Sequence, residues 1–391
     1  MLWINFLHLY QPVNADARII KEATELSYLR LVKALEENPN IKFTLNITGG
    51  LILRWEELGY QDLLARIDNL IKKGQIELTG TPAYHPLLPL IPREEAIRQI
   101  KENETILRRH FGHDFKPRGF FLPEMAYSRD VAKIIKKLGY EWIILGEIVE
   151  RGKLGKTDFN KIYEDKNSGL KIIFRSRKLS ESYVPETLDK IISKEKNNDL
   201  AITATDAELY GLRHNDPTGE FEKILKNPNL ETKTISEFIS EHKKLEKIRP
   251  IAGSWVSTEK ELKNGQPYIL WSDKKNKIQK NIWKLANLAY KTTEKYKNDD
   301  NYLWARWHLV RGLASCTFWW ASGKNFSHIF GPHAWSPDEI ERGVNELIRS
   351  IRTLDDVATR KTKIKAEKLY IKIKQMVWKN HWTYYWRKEP K

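Results

Sequence analysis

The sequence predicts an α/β protein, a distorted seven-stranded (β/α) barrel followed by a C-terminal α-helical domain. From residue 1 to about residue 255, short apolar runs alternate with amphipathic segments, a pattern typical of parallel strands joined by crossover helices. Beyond about residue 270 the periodic segments are nearly all helical. We therefore expect a (β/α)7-barrel over residues 1–255 and a helical domain packed on it over residues 256–391.

Seven apolar runs of strand length are present in the first part of the chain. They are Trp3–His8, Lys42–Ile47, Gln75–Thr79, Gly119–Leu122, Glu141–Leu145, Leu170–Arg175 and Leu200–Thr205. Runs of this length bounded by Gly, Pro and polar residues are typical of buried strands. An open parallel sheet would produce the same pattern, so closure into a barrel is an additional expectation.

Helical periodicity marks the segments between these strands and most of the C-terminal part. The predicted helices are Ile20–Glu37, Gln61–Lys73, Arg93–Phe111, Ser128–Leu138 and Pro185–Lys196, followed by Ile278–Lys295, Tyr302–Ala321, Pro337–Thr353 and Asp355–His381. Gly74 and Gly139 stand where helix C-caps are expected, because glycine adopts the left-handed conformation there without strain.

Composition and charge exclude several classes of protein. The 391 residues carry a formal net charge of +16, but the basic residues are dispersed among acidic ones, so we expect no nucleic-acid partner. The single cysteine, Cys316, excludes an intramolecular disulfide framework and is typical of a reducing compartment. Since the first residues lack the basic start of a signal peptide, we expect a cytoplasmic protein that is not bound to membranes. Its Lys, Ile and Glu content resembles that of thermophile proteins.

Polar residues follow four of the predicted strands. The first is followed by Gln11 after His8, the third contains Glu77 and precedes His85, the fourth leads to Glu124, and the seventh leads to Asp206 and Glu208. Because parallel strands all end at the same rim of a barrel, these groups are expected to converge there. Two carboxylates with nearby histidine and amide groups suit acid–base and nucleophilic chemistry on a glycoside.

Five motifs, in order and across most of the chain, are similar to those of glycoside hydrolase family 57. They are His8-Leu9-Tyr10-Gln11-Pro12, Gly74-Gln75-Ile76-Glu77 leading to Tyr84-His85-Pro86, Phe121-Leu122-Pro123-Glu124, Asp206-Ala207-Glu208-Leu209-Tyr210-Gly211 and Leu313-Ala314-Ser315-Cys316-Thr317-Phe318-Trp319-Trp320. The chain thus resembles a family of mostly thermophilic enzymes that act on α-glucans, including α-amylases and 4-α-glucanotransferases.

The resemblance implies a seven-stranded barrel with a helical domain and a mechanism that retains configuration at the anomeric carbon. By motif, Glu124 corresponds to the nucleophile and Asp206 to the general acid/base. We expect substrate contacts from His8, Gln11, Glu77, His85 and Glu208, and stacking of sugar rings on Trp319 and Trp320. The substrate expected from the resemblance is an α-glucan or malto-oligosaccharide, processed by hydrolysis or transfer.

Two departures from the family motifs leave the sugar and its linkage open. Tyr10 stands where the first motif usually has a second histidine, and Ser315-Cys316-Thr317 stands where the fifth usually has Ser-Asp-Trp. Three alternatives therefore remain: a sugar-binding member with little turnover, an α-galactosidase, and a metal-dependent carbohydrate enzyme on the same barrel. The sequence does not decide between hydrolysis and transfer, and it does not give the oligomeric state.

No metal site or cofactor is predicted. The closely spaced histidine pairs are His110 with His113 and His328 with His333. Neither pair is accompanied by an evident third ligand, and a metal site needs at least three protein ligands in a compact arrangement.

Overall fold

A computed structural model describes residues 1–113, 115–193, 200–323 and 334–385 of the chain. The strands are β1 (Leu2–Leu9), β2 (Phe43–Ile47), β3 (Ile76–Leu78), β4 (Gly119–Phe120), β5 (Trp142–Gly146), β6 (Ile162–Asp165), β7 (Lys171–Arg175), β8 (Leu200–Asp206), β9 (Glu231–Thr232) and β10 (Leu245–Ile248).

The helices begin with α1 (Ala17–Ala23), α2 (Leu29–Glu37), α3 (Gly49–Leu58), α4 (Gln61–Lys72), α5 (Arg93–Phe111), α6 (Arg129–Lys137), α7 (Ile148–Arg151), α8 (Arg177–Ser180), α9 (Val184–Ile192), α10 (Glu220–Leu225), α11 (Ile235–Ser240) and α12 (Glu259–Lys263). They continue with α13 (Lys277–Lys295), α14 (Tyr302–Gly312), α15 (Ser315–Trp319), α16 (Pro337–Arg352) and α17 (Asp356–Asn380). A π-helical turn, Thr24–Tyr28, joins α1 to α2.

Seven parallel strands, β1 to β5 with β7 and β8, form the barrel. One ladder runs β3-β2-β1-β8 and the other contains β7-β5-β4. Backbone bonds join the ladders on both sides, from Phe121 N to Gly80 O at 2.8 Å and from Ser176 N to Ile202 O at 2.8 Å. These seven strands are the seven that the sequence predicts. Strands β6 and β10 extend one side, with β6 antiparallel to β7.

The barrel interior is apolar. Phe6 stacks on Phe121 with ring centroids 5.1 Å apart. The buried cluster around this pair includes Ile4, Trp142, Ile144, Ile173, Ile202 and Ala204. Burial of such side chains is the main favourable contribution to the stability of a barrel.

Helix α11 closes the amino end of the barrel. Its residues Ile235, Phe238 and Ile239 belong to the same buried cluster. Ser236 accepts a hydrogen bond at 2.9 Å from the indole of Trp142, the first residue of β5. Helix α11 thus contributes to the barrel core from the amino end.

Most predicted helices of the barrel part are observed close to their predicted ends. Helix α5 has the predicted bounds, and Ser128 caps α6 by accepting from Val131 N at 3.3 Å. Gly74 and Gly139 have φ of 73° and 96°, the left-handed conformation expected of C-capping glycines. The last residues of the helix predicted over Pro185–Lys196 lie outside the described segments.

Contacts divide the chain into two compact units. The first comprises Met1–Ala83 with Leu87–Gly265, and the second comprises Tyr84–Pro86 with Gln266–Lys391. The domain boundary predicted at residue 255 remains a prediction.

The second unit is helical, with α13, α14, α16 and α17 packed against one another. Gly312 allows close packing of α14 on α16, since a Cβ there would lie 2.7 Å from Leu347. The prediction of one helix over Tyr302–Ala321 is wrong. Ala314 has φ −53° and ψ 139° and pairs with Pro86, so the chain leaves helical geometry between α14 and α15.

Candidate active site

Strand pairing brings His8 and Asp206 together at the carboxyl end of the barrel. Residues of β1 and β8 are in register as Ile4 with Ile202, Phe6 with Ala204 and His8 with Asp206. Because alternate residues of a strand share a face, His8 and Asp206 continue the inward-facing row that forms the core. The site therefore begins directly above the apolar interior.

His8 is held as a neutral acceptor. Its Nδ1 lies 2.8 Å from Asn46 Oδ1, and the Asn46 amide nitrogen in turn donates to Thr79 Oγ1 at 3.2 Å, which fixes the orientation of the amide. The Nδ1 proton therefore points to Asn46, and Nε2 carries the lone pair. Burial lowers the pKa of His8 to about 4, so the ring is uncharged at neutral pH.

Glu124 lies on a strained turn four residues beyond the end of β4. The residue has φ 60° and Met125 has φ 47°, left-handed values that cost non-glycine residues of order 1–3 kcal/mol each. Segment 253–255 holds this turn in place. Trp255 N donates to Glu124 O at 3.1 Å, and Trp255 Nε1 donates to Glu124 Oε2 at 3.0 Å. Strain that is maintained by specific contacts is characteristic of functional sites.

Trp255 connects the two sides of the site. Its ring lies 6.4 Å from that of His8 and 6.1 Å from that of Phe121. The guanidinium of Arg175, at the end of β7, lies 4.9 Å from the Trp255 ring and donates to Ala204 O at 2.6 Å, two residues before Asp206. Through these contacts Glu124 and Asp206 belong to one cluster.

The cluster contains a buried cation. Arg175 is 5% exposed, and burial lowers its pKa to about 10, so it stays charged at neutral pH. A cation in a poorly solvated position favours negative charge on nearby groups more strongly than one in water. Arg175 is thus suited to stabilising carboxylates at this end of the barrel.

Asp206 and Glu208 differ in their surroundings although they are two residues apart. Asp206 is partly exposed and forms an ion pair of 2.6 Å with Arg213. Glu208 is 2% exposed and accepts from Gln11 Nε2 at 2.7 Å and from Tyr28 Oη at 2.5 Å. Burial, reinforced by the charge of Asp206, raises the pKa of Glu208 to about 7. Gln11 and the buried Glu208 thus form one hydrogen-bonded polar group beside Asp206.

Glu77 is not brought to this cluster. One of its carboxylate oxygens accepts from Ser236 N at 3.0 Å and from Thr44 Oγ1 at 3.1 Å, and the other accepts from the Ser236 hydroxyl. Since α11 lies at the amino end, these contacts assign Glu77 to seating that helix. A substrate contact for Glu77 remains a prediction that its contacts do not support.

The second unit contains the remaining predicted site residues of the second and fifth motifs, which are His85, Trp319 and Trp320. His85 Nδ1 is 2.9 Å from Ser315 Oγ, and Ser315 N donates to His85 O at 2.9 Å. Trp319 and Trp320 are half-buried and meet edge to face at 4.6 Å. The structure therefore joins His85 to the start of α15, while the substrate role of all three residues stays a prediction.

Five residues of the cluster were not predicted as part of the site: Tyr28, Asn46, Arg175, Arg213 and Trp255. Asn46 and Arg175 end or nearly end predicted strands, the same signal that identified Asp206. Arg213 lies close behind the fourth motif. Tyr28 and Trp255 have no local signal, because they reach the site through tertiary packing.

The described segments contain no group of three or more His, Cys, Asp or Glu side chains arranged to hold a metal ion. His328 and His333 lie outside those segments. Within the same segments no helix is long and apolar enough to cross a membrane.

One family model matches nearly the whole barrel part of the chain. The sequence model of the family described as glycosyl hydrolase family 57 matches residues 5–250. An α-amylase of Pyrococcus horikoshii is 29% identical over 220 residues, covering 53% of this chain and 34% of that protein. The chain thus spans about a third of the length of three of the α-amylases it matches, with 34%, 33% and 31% of them covered.

Solved structures confirm the fold. A branching enzyme of Thermococcus kodakaraensis superposes with a TM-score of 0.71 at 14% identity, covering 95% of this chain and 94% of that one. A 4-α-glucanotransferase of Thermococcus litoralis gives 0.70 at 18% identity, covering 91% and 60%. The predicted fold class, a (β/α)7 barrel with a C-terminal helical domain, is confirmed.

Proposed function

Since this chain belongs to glycosyl hydrolase family 57, we propose that it cleaves or transfers the glycosidic bonds of α-glucans with retention of configuration. The relatives it matches are named α-amylase and 4-α-glucanotransferase, which supports an α-glucan as the substrate. The observation that carries the proposal is the cluster that joins Glu124 to Asp206 through Trp255 and Arg175.

In the proposed first step Glu124 attacks the anomeric carbon while Asp206 gives its proton to the departing glycosidic oxygen. The products are a glycosyl-enzyme ester at Glu124 and the free reducing-side sugar. In the second step Asp206 takes a proton from water or from a sugar hydroxyl, and that oxygen displaces Glu124. Two inversions at one carbon retain its configuration.

The neighbours of Glu124 are suited to this role. The indole of Trp255 fixes one carboxylate oxygen, which orients the group for attack. Arg175, whose guanidinium lies 4.9 Å from the centre of the Trp255 ring, provides positive charge in a poorly solvated position. We also propose that His8, a neutral ring above the core, contacts a sugar hydroxyl.

The first experiment asks whether the chain turns over glycosides. It is incubated with malto-oligosaccharides, longer α-glucans and a panel of nitrophenyl glycosides that includes α-galactoside, and the products are analysed. We expect products from the α-glucans, and we expect the newly formed sugar end to be the α-anomer before it mutarotates. Binding of malto-oligosaccharide without any product would instead favour a sugar-binding protein.

The second experiment assigns the two carboxylates. Glu124→Gln and Asp206→Asn should each lower kcat by at least about 10³-fold while thermal unfolding stays close to that of the wild type. Glu36→Gln, which removes an exposed ion pair with Arg66, is the matched control and should keep full activity. Full activity in either of the first two variants would refute the assignment.

A further inference from the structure

Helix α17 of the second unit has a buried side and an opposite, outward side. Its buried residues Thr359, Ala366 and Ile373 recur every seven positions, and the helix packs against α13 and α16. Because seven residues make nearly two turns, residues with this spacing lie in one row along a helix. Residues two positions before each of these lie about 200° around the helix, which places them on the outward side.

Three aliphatic side chains form a row along the outward side of α17. Val357 is 85% exposed, and Ile364 and Ile371 are each 52% exposed. Single exposed aliphatic residues are ordinary, but these three recur every seven positions and so form a line about 21 Å long. Apolar surface is stabilised when it leaves water, so such a row favours contact with an apolar partner or phase.

Lysines lie beside this aliphatic row. The exposed lysines of α17 are Lys361, Lys365, Lys368, Lys372 and Lys379. At about 100° per residue, all five lie within about 100° of Ile364 around the helix.

The charge of these lysines is not neutralised by acidic residues of the same helix. The two acidic residues of α17 are engaged elsewhere, Asp356 with Lys363 and Glu367 with Arg352. In the described parts of the chain, no ion pair to any of the five exposed lysines is formed. The outward side therefore combines an aliphatic row with concentrated positive charge.

This combination matches the chemistry of an anionic lipid surface. Aliphatic side chains enter the boundary between headgroups and acyl chains, while lysines extend their flexible stems to the charged headgroups. Clusters of about four to eight basic residues on an amphipathic helix are typical of attachment to anionic lipids.

Other occupants match the outward side less well. The cores of protein interfaces are depleted in lysine. A second copy of this chain would place like charges against one another. A nucleic acid would pair with the lysines but leave the aliphatic row in water.

We propose that the outward side of α17 is a docking surface for membranes that contain anionic lipid, with Ile364 at its centre. The helix would lie parallel to the lipid surface without spanning it, and no change of conformation is needed. This proposal departs from the expectation of a protein that is not bound to membranes. That expectation came from the sequence, which does not show which aliphatic residues tertiary packing leaves exposed.

The test is sedimentation of the purified chain with lipid vesicles. We expect binding to vesicles of phosphatidylcholine mixed with phosphatidylserine, much weaker binding to phosphatidylcholine alone, and a decrease as salt is raised. Lys365→Gln, Lys368→Gln and Lys372→Gln together should weaken binding at least about tenfold, since each basic residue contributes roughly fivefold. A wild type that does not sediment with the anionic vesicles at low salt would refute the proposal.

The matched control removes the same charge elsewhere, because the whole chain has a net charge of +16. Lys133, Lys136 and Lys137 are exposed lysines of α6 in the first unit. Their joint replacement by Gln should weaken vesicle binding by less than about twofold. Equal losses in the two triple variants would mean that net charge alone causes binding, and the proposal would be wrong.

A second variant separates lipid from other polyanions. Ile364→Ser combined with Ile371→Ser keeps every cation and should weaken vesicle binding by about tenfold, because the apolar contact is lost. Leu154→Ser, at an exposed aliphatic residue of the first unit, should have no effect. If vesicle binding survives the loss of both isoleucines, or if the chain prefers DNA to vesicles at the same salt, this side of α17 binds polyanions in general and the lipid proposal is wrong.

Turnover of α-glucans separates this inference from the proposed function, on which it does not depend. All these variants replace exposed side chains, so their thermal unfolding and kcat should match those of the wild type. A wild type without activity would refute the proposed function and leave the vesicle result standing. An active enzyme that does not bind anionic vesicles would refute the docking surface alone.

Discussion

The two ends of the barrel surround their carboxylates differently. At the amino end, the partly buried Glu77 accepts hydrogen bonds from Ser236 and Thr44, with the cation Arg118 nearby. At the carboxyl end, Glu208 is buried beside a second carboxylate, Asp206, and both lie near the cation Arg213. Burial is the main cause of the raised pKa in both Glu77 and Glu208.

The difference between the ends also extends to the backbone. The amino end is closed by α11, whose capping box at Thr234 satisfies its first N–H groups. The carboxyl end contains the consecutive left-handed residues Glu124 and Met125. At the amino end, the polar groups thus have hydrogen-bond partners. At the carboxyl end, the strained backbone and the charged groups must be stabilised by the surrounding contacts. This division is the one expected of barrels with their chemistry at the carboxyl rim.

The largest effect expected from this comparison concerns Glu124. Glu124→Gly should lower kcat by at least about 10³-fold, since the proposed nucleophile is lost. Its free energy of unfolding should stay within about 1 kcal/mol of the wild type, because relief of the strain at φ 60° offsets the lost bond to Trp255. Activity assays and urea denaturation of the same preparation measure both quantities. A loss of several kcal/mol would mean that Glu124 supports the fold.

At the amino end we expect the opposite result, a loss of stability without a loss of activity. Glu77→Ala leaves the donors of Ser236 and Thr44 without their acceptor, so the free energy of unfolding should fall by about 2–3 kcal/mol. The folded fraction should retain kcat, measured well below its unfolding temperature. Glu36→Ala, which removes an exposed partner of Arg66, should cost less than about 1 kcal/mol. A large loss of kcat without loss of stability would show that Glu77 contacts substrate.

The barrel could be predicted from the sequence because each of its strands is an apolar run bounded by Gly, Pro or polar residues. It was insufficient for α3, which begins with Gly49-Gly50, residues that disfavour helices. Gly49 is required there by packing: a Cβ would lie 2.7 Å from Ile106 and 2.9 Å from Asn103, both on α5. Such a contact, between residues more than fifty positions apart, leaves no periodic pattern in the chain.

The same limit applies to the site. Asp206 and Glu124 could be predicted because each stands at or shortly after the end of an apolar strand. Trp255 follows no such run in the sequence, and it is known as part of the site only from its contacts with Glu124 and Arg175. Residues that orient a catalytic group through tertiary contacts are therefore harder to predict than the group itself.

The smallest effect expected is a change in the pH dependence of stability. Glu208 binds its proton up to about pH 7 in the folded protein but only to about pH 4.5 when unfolded. Its contribution is therefore present at low pH and is lost as pH rises from 4.5 through 7. His8, with a pKa lowered to about 4, contributes the opposite slope, since stability is lost as pH falls from 6.5 toward 4.

In the wild type these two slopes oppose one another between about pH 4.5 and 6.5. Glu208→Gln should remove the first and leave the second, so that its melting temperature falls by a few degrees more than that of the wild type as pH is lowered from 6.5 to 4.5. Calorimetric melting at several pH values measures the difference, and Glu36→Gln should follow the wild-type curve. Parallel curves for Glu208→Gln and the wild type would show that Glu208 is ionised in the folded protein, and the contrast between the two ends of the barrel would then rest on Glu124 alone.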